Sequence, residues 1–261
     1  METSITRRLA LTRLAMTGAI VAGGQLAPAA ESPRAEGKRR PKLIAFDVIE
    51  TLFDPAPLDG AMVEIGLPKG SLRVWFPRFL RDAFALEVIG EYKPFKEIAT
   101  GSLKALCRGH QIDASDAMIE QVLGKFATLP AHPDVKPAFE AVRDAGVRII
   151  TLTNGSKDAT QTLLKKAGLE SFVERSISID EVKHWKPAAA VYRYAAETMK
   201  LQPHEIALVA AHDWDTAGAS RAGFLTGGVQ RGSAFSPALP PPDFMGATPL
   251  DPVKALLALP G

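Results

Sequence analysis

Cysteine is nearly absent from this chain of 261 residues: Cys107 stands alone. No intrachain disulfide can form, and no thiolate metal cluster can be assembled. Histidine is scarce, with five residues, and no two share the spacing of a helical zinc pair. Charge of one sign is also lacking. The chain carries 31 Lys and Arg against 29 Asp and Glu, and its net +2 belongs to the first thirty residues, where Arg7, Arg8 and Arg13 face only Glu2. A body that sums to about zero and has no basic stripe argues against nucleic-acid binding, which needs clustered Lys and Arg against phosphates. The run Lys38-Arg39-Arg40 with Lys42 sits in a tether rich in Pro, Glu and Ser and reads as a solvated linker. No internal repeat is visible, and the 21 Gly and 20 Pro follow no collagen-like period.

What is present is ordinary for a globular protein: 46% hydrophobic and 23% charged residues, which excludes wholesale disorder. The length predicts between one and two domains. Residues 1–30 read as a secretory leader. Thr6-Arg7-Arg8-Leu9 opens it, an apolar stretch from Leu14 to Ala22 follows, and Ala27-Pro28-Ala29 is a small-x-small cleavage signal. The apolar stretch is about half of the ~20 residues that a membrane-spanning helix requires. The paired arginines resemble a twin-arginine signal. This predicts export to the periplasm with no membrane anchor after processing. The same residues also fit an extension from a start placed too early, which would leave the protein in the cytoplasm. Residues 31–41 read as a linker.

Five short apolar segments predict buried parallel strands: Leu43–Phe46, Val147–Leu152, Ser176–Ile179, Ile206–Ala211 and Leu225–Val229. Helical patterns lie between the last four. Val135–Ala145 and Asp158–Ala167 end at Gly146 and Gly168, Ala188–Met199 follows Pro187 at a first helical position, and Thr216–Ala222 ends at Gly223. The alternation predicts an α/β fold: a doubly wound, Rossmann-like parallel sheet with right-handed crossovers. Residues 55–131 break it. Leu72, Trp75, Phe76, Phe79 and Leu80 recur at helical steps, as do Phe95, Ile98, Leu103 and Leu106. They predict a helical cap inserted after the first strand, over a core of 42–54 and 132–261.

Chemistry in such a sheet sits at the carboxyl ends of the strands. The first strand runs into Asp47, a carboxylate after four apolar residues, which is costly to bury unless paired. The second ends in Thr151-Leu152-Thr153-Asn154-Gly155-Ser156. Lys183-His184-Trp185-Lys186-Pro187 follows the third, and His212-Asp213-Trp214-Asp215 the fourth. Each cluster alone fits a turn, a surface cation or a helix cap.

Their order resembles the haloacid dehalogenase superfamily, and most of all the type II L-2-haloacid dehalogenases, over nearly all of 42–259. Pro241-Pro242-Asp243-Phe244 belongs to the likeness. The resemblance implies a nucleophile at Asp47. It implies that Thr51, Thr153 and Asn154 hydrogen-bond the nucleophile or substrate, and that Lys186 holds Asp47 ionised. Tyr192 would support the pocket, and Asp215 would orient or activate water. The substrate implied is a small 2-halocarboxylate, attacked at C2 with release of halide. No cofactor and no metal are implied. A homodimer is an option that the apolar cap helices permit.

Magnesium-dependent phosphatases of the superfamily carry a second Asp two residues after the nucleophile, where this chain has Ile49. They carry an acidic metal ligand where it has Ala211. Both differences favour dehalogenation, since a halide leaves without a proton and a hard cation needs carboxylates. A phosphatase with an altered metal site and a non-catalytic carboxylate-binding protein on the same fold are the alternatives. The chain also departs from the dehalogenase pattern. Ile49-Glu50 replaces Tyr-Gly, and Phe76 follows Trp75 where an Arg would grip halide or substrate carboxylate. Ala210 and His212 replace Ser and Asn beside Trp214 and Asp215. Trp75, Phe76 and His212 are expected at the substrate, with His212 either a base on water or a structural hydrogen bond.

Overall fold

A central parallel sheet organises the computed structural model, which describes residues 37–261 apart from Ser233. The expected leader and most of the expected linker lie outside the described residues. From β1 (Leu43–Phe46) the chain enters α1 (Pro57–Glu64), α2 (Ser71–Val88), α3 (Phe95–Gly109) and α4 (Asp116–Leu123). It returns through α5 (Val135–Asp144) to β2 (Arg148–Thr153), then α6 (Lys157–Lys166) and β3 (Arg175–Ser178). The short α7 (Ile179–Val182) and α8 (Ala189–Met199) lead to β4 (Ile206–Ala210), and α9 (Asp213–Arg221) to β5 (Leu225–Val229). β6 (Phe244–Gly246) and α10 (Leu250–Leu257) follow.

Every pairing is parallel, in the order β3-β2-β1-β4-β5-β6. β1 and β4 are buried at every position. That explains their continuous apolar runs, since helices cover both faces of such strands. They are neighbours, with Phe46 opposite Val209. The winding reverses between them, so the crevice of the sheet opens where both strands end. Gly168 and Gly223, with φ of +66° and +95°, stop α6 and α9 in a conformation cheap only for glycine.

The expected five strands are present, and β6 is additional. Its three residues are exposed or half-buried, so it lacks the apolar run that marks a central strand. Asp243 secures it, Oδ2 accepting from the Thr226 amide at 2.9 Å. Two helix starts differ from expectation. α9 begins at Asp213 rather than Thr216, with Asp213 and Asp215 in its first turn, where carboxylates offset the helix dipole. Pro187 lies ahead of α8 rather than at its first position. The basic tether is not simply solvated: Lys38 pairs with Asp243, Lys42 with Glu205, and Arg39 Nη1 donates to the Gly261 carbonyl at 2.9 Å.

The helical insertion after β1 is fastened to the segment following β3. Glu87 of α2 accepts from the Trp185 amide at 2.8 Å and meets His184 Nδ1 at 2.9 Å. Trp185 Nε1 donates to the Lys93 carbonyl at 3.1 Å. The Trp185 ring packs on Phe79 and Phe95, with centroids 5.6 and 6.4 Å away. These contacts fix the residue immediately before Lys186. Among the described residues no helix is long and apolar enough to cross a membrane.

Candidate active site

Asp47 continues β1 by one residue, its amide donating to the Val209 carbonyl at 3.1 Å. Its buried carboxylate is fully engaged. Oδ1 accepts from Lys186 Nζ at 2.8 Å, and Oδ2 from Thr51 Oγ1 at 2.7 Å. The Ala211 amide in turn donates to Thr51 Oγ1 at 2.8 Å, tying this group to the end of β4. Burial alone would raise the Asp47 carboxyl. The charge of Lys186, then that of His212, outweigh it and hold the carboxyl well below the usual carboxylate range.

Lys186 has no exposed surface. Its ammonium donates to Asp47, to Asp215 Oδ2 at 2.6 Å and to the Leu152 carbonyl at 2.9 Å. Three donors meet three acceptors, so no N–H remains unpaired. Burial opposes the charge, but Asp215 and Asp47 outweigh it and raise the lysine above its ordinary value. Asp215 is also completely buried, its Oδ1 accepting from Tyr192 Oη at 2.7 Å. Burial raises its carboxyl, Lys186 opposes this, and the charge of Asp47 adds to the rise. Gly218 of α9 permits this packing, because a Cβ there would stand 2.7 Å from the Tyr192 hydroxyl and 2.8 Å from the Pro187 carbonyl oxygen.

His212 lies on the other side of Asp47. Nε2 meets Glu50 Oε2 at 2.6 Å, and Nδ1 stands 3.3 Å from Asp47 Oδ2, close enough for an ion pair but poorly aligned for a hydrogen bond. Burial would lower this imidazole, but Asp47 and Glu50 outweigh it and push it up to about 10. The stabilisation from these contacts is therefore fully present below the ordinary value of 6.5 and lost as pH rises through about 10. The two carboxylates favour the protonated ring, a form in which neither nitrogen has a lone pair to act as a base. Glu50 itself adopts φ +66°, which costs a side chain with a Cβ about 1–2 kcal/mol. Its amide donates to the Phe53 carbonyl at 2.9 Å and its carbonyl accepts from His132 Nε2 at 3.1 Å, which holds the turn.

Over Asp47 lies a cavity of about 20 Å³ lined by Phe76, Phe79, Leu80, Phe95, Thr153, Asn154, His212 and Trp214, among others. That is room for about one water molecule. A larger apolar chamber of about 290 Å³ adjoins it and shares Ile49, Phe95, Thr153 and Gly155. The predicted site residues divide accordingly. Asp47, Thr153, Asn154, His212 and Phe76 line the cavity. Thr51, Lys186, Asp215 and Tyr192 stand behind it in one hydrogen-bonded chain. Asp215 thus makes no contact with the cavity, contrary to expectation, because Lys186 and Tyr192 occupy both of its oxygens. Thr153 does not bond Asp47 either; its Oγ1 accepts from the Gly155 amide at 2.9 Å. Asn154 Oδ1 accepts from the Lys186 amide at 3.0 Å, while its buried Nδ2 meets no protein partner among the described residues. Trp75 does not line the cavity: it is fully buried and packs on Phe76, Phe79 and Phe126. Sequence reasoning gave Glu50 no role. The signal was its position beside Asp47 in a chain that also places His212 after β4.

The profile of the haloacid dehalogenase-like hydrolase family matches residues 41–223. Haloacetate dehalogenase H-2 of Moraxella sp. (strain B) is 27% identical over 209 residues, covering 79% of this chain and 93% of that protein. (S)-2-haloacid dehalogenase of Pseudomonas sp. (strain YL) is 26% identical over 221 residues, covering 84% of this chain and 92% of that one. Among solved structures, L-2-haloacid dehalogenase from Xanthobacter autotrophicus with chloropropionic acid covalently bound superposes with a TM-score of 0.76 at 21% identity, covering 84% of this chain and 99% of that one. A predicted phosphoglycolate phosphatase from Haemophilus somnus shares the fold at a TM-score of 0.63 and 19% identity, over 84% of this chain and 99% of that one. The fold therefore leaves the reaction to be argued from the site.

Proposed function

Because this chain belongs to the haloacid dehalogenase-like hydrolases, we propose that it hydrolyses the carbon–halogen bond of short 2-haloalkanoic acids through an ester on Asp47, without a metal ion. One observation carries this reading: the Asp47 carboxylate is held ionised between two cations, Lys186 and His212, with Ile49 where a proton donor would be needed for an alkoxide. Asp47 would attack C2 and invert it, and the halide would depart with the bonding electrons. Water would then attack the ester carbonyl and release the 2-hydroxy acid, so that the cycle yields one halide and one proton. Lys186 and Thr51 fix the carboxylate, and Asp215 with Tyr192 fixes Lys186. Asn154 Nδ2 is a donor free to meet substrate.

The residues present do not fit a divalent cation. Two positive side chains face the nucleophile, Ala211 supplies no carboxylate, and among the described residues no group of three His, Cys, Asp or Glu is placed to hold a metal. The relatives named as haloacid dehalogenases support the substrate class.

Purified protein given L-2-chloropropionate in EDTA is expected to release chloride, and quenched protein to carry a propionate ester on Asp47 by mass spectrometry. Absence of chloride from every short 2-haloacid, with magnesium-stimulated hydrolysis of p-nitrophenyl phosphate instead, would overturn the reading. We also propose periplasmic export, on the strength of Arg7-Arg8, the apolar stretch to Ala22 and Ala27-Pro28-Ala29. A periplasmic extract should yield a chain starting just after Ala29. Recovery only from the cytoplasm with Met1 intact contradicts that.

A further inference from the structure

Glu50 and His212 have no part in the displacement as written, yet they are built into its centre. Both ring nitrogens of His212 face carboxylates, Glu50 at 2.6 Å and Asp47 at 3.3 Å. A neutral imidazole has one N–H and would turn a lone pair towards one of the two anions, whereas an imidazolium presents an N–H to each. The ring is set in plane by Phe76 and Trp214, stacked at centroid distances of 6.4 and 4.8 Å with tilts of 28° each. The charges are arranged in parallel: Lys186 lies between Asp47 and Asp215, and His212 between Asp47 and Glu50. Each cation has a carboxylate of its own, and the nucleophile is shared.

We propose that Glu50 is a positioning residue that keeps His212 protonated, and that the His212 imidazolium holds the substrate's carboxylate beside Asp47. This rests on the 2-haloacid reading above and identifies the group that recognises the acid. Such a substrate brings a second anion to within a few ångströms of Asp47, and like charges repel there unless a cation lies between them. The other cations nearby are committed or remote. Lys186 has all three N–H groups engaged. Arg231, beyond β5, grips both oxygens of Asp134 and the Thr51 carbonyl. Arg73 and Arg81 of α2 line the wide outer cleft but not the cavity over Asp47.

His212 lines both spaces, and so stands where an acid would pass from one to the other. Its contact with Asp47 is long and poorly aligned, which leaves Nδ1–H free to turn to a second carboxylate. When Asp47 becomes a neutral ester, that anion is lost from the ring and Glu50 alone retains the proton. The charged and titratable groups around His212 are Asp47 and Glu50 from the turn after β1, Asp213 beside it, and Arg231 and His132 across the cleft. Phe76 and Trp214 are the remaining walls, and Lys186 lies behind Asp47.

The test compares propionate binding, by calorimetry, in the full protein and in Glu50→Gln, Glu50→Gly and His212→Asn at about pH 6 and about pH 8.5, to either side of an ordinary histidine. L-2-chloropropionate kinetics are followed at the same pH values. Wild type should bind propionate alike at both. The Glu50 variants should bind at the lower pH and lose about tenfold or more at the higher, as a rise in KM rather than a fall in kcat. His212→Asn should bind weakly at both. Glycine relieves the left-handed backbone at residue 50, so a shifted pH profile in Glu50→Gly reports the missing carboxylate rather than a damaged fold. A wild-type pH profile in Glu50→Gly, or undiminished propionate binding by His212→Asn, overturns the proposal. The expected binding pattern without halide release would sink the dehalogenase reading alone. Halide release with a pH-independent KM in the Glu50 variants would sink the role given to Glu50 and leave the dehalogenase reading standing.

Discussion

Lys186→Met abolishes turnover and costs about 3–5 kcal/mol of folding stability, the expected result of removing one partner from a buried ionic cluster. Among the described residues the ammonium is the one hydrogen-bonded link between Asp47 and Asp215, and it also satisfies the Leu152 carbonyl. Methionine fills the volume but leaves two buried carboxylates facing each other. One of them must then take up a proton; Asp215, whose carboxyl burial already raises, is the one placed to do so, and Asp47 loses the cation that fixes its Oδ1 for attack. Urea unfolding and chloride release measure the two effects. Turnover within about tenfold of wild type would show that the cation does not sustain the reaction.

Asp47→Asn is the counterpart, with the opposite balance. Turnover should fall by about 10⁴-fold or more, the scale of loss when a nucleophile is removed. Stability should change by no more than about 1–2 kcal/mol, because the amide oxygen still accepts from Lys186 or Thr51. Lys186 keeps Asp215, and His212 keeps Glu50. A well-folded but inactive variant separates chemistry from architecture. If Asp47→Asn released halide at the wild-type rate, the covalent route would be excluded.

Much of this arrangement was legible in the chain. Strands buried on both faces appear as uninterrupted apolar runs, as in Leu43–Phe46, and the cap announced itself by helical periodicity from Leu72 onwards. β6 was not legible, because an edge strand held by one aspartate needs no apolar signature. Polar clusters at successive strand ends also located Asp47, Lys186 and Asp215 together. Spacing could not tell which way a side chain turns from the first helical turn. Asp215 therefore faces Lys186 and Tyr192 instead of the cavity. Nor does a linear reading show that a left-handed turn at Glu50 swings its carboxylate onto His212, or that Trp75 points into the helix packing while its neighbour Phe76 reaches the site.

The space above Asp47 is too small for any haloacid, so entry demands that a wall give way. The partition between it and the larger apolar chamber consists of Ile49, Phe95, Thr153 and Gly155, of which Phe95 alone belongs to the cap. A swing of that one ring would merge the two volumes and seat a short alkyl tail away from water. The helices carrying it are tethered through Glu87 and Lys93 to the residues just before Lys186. The same hydrogen bonds thus hold together the segment that carries Phe95 and the residue just before Lys186.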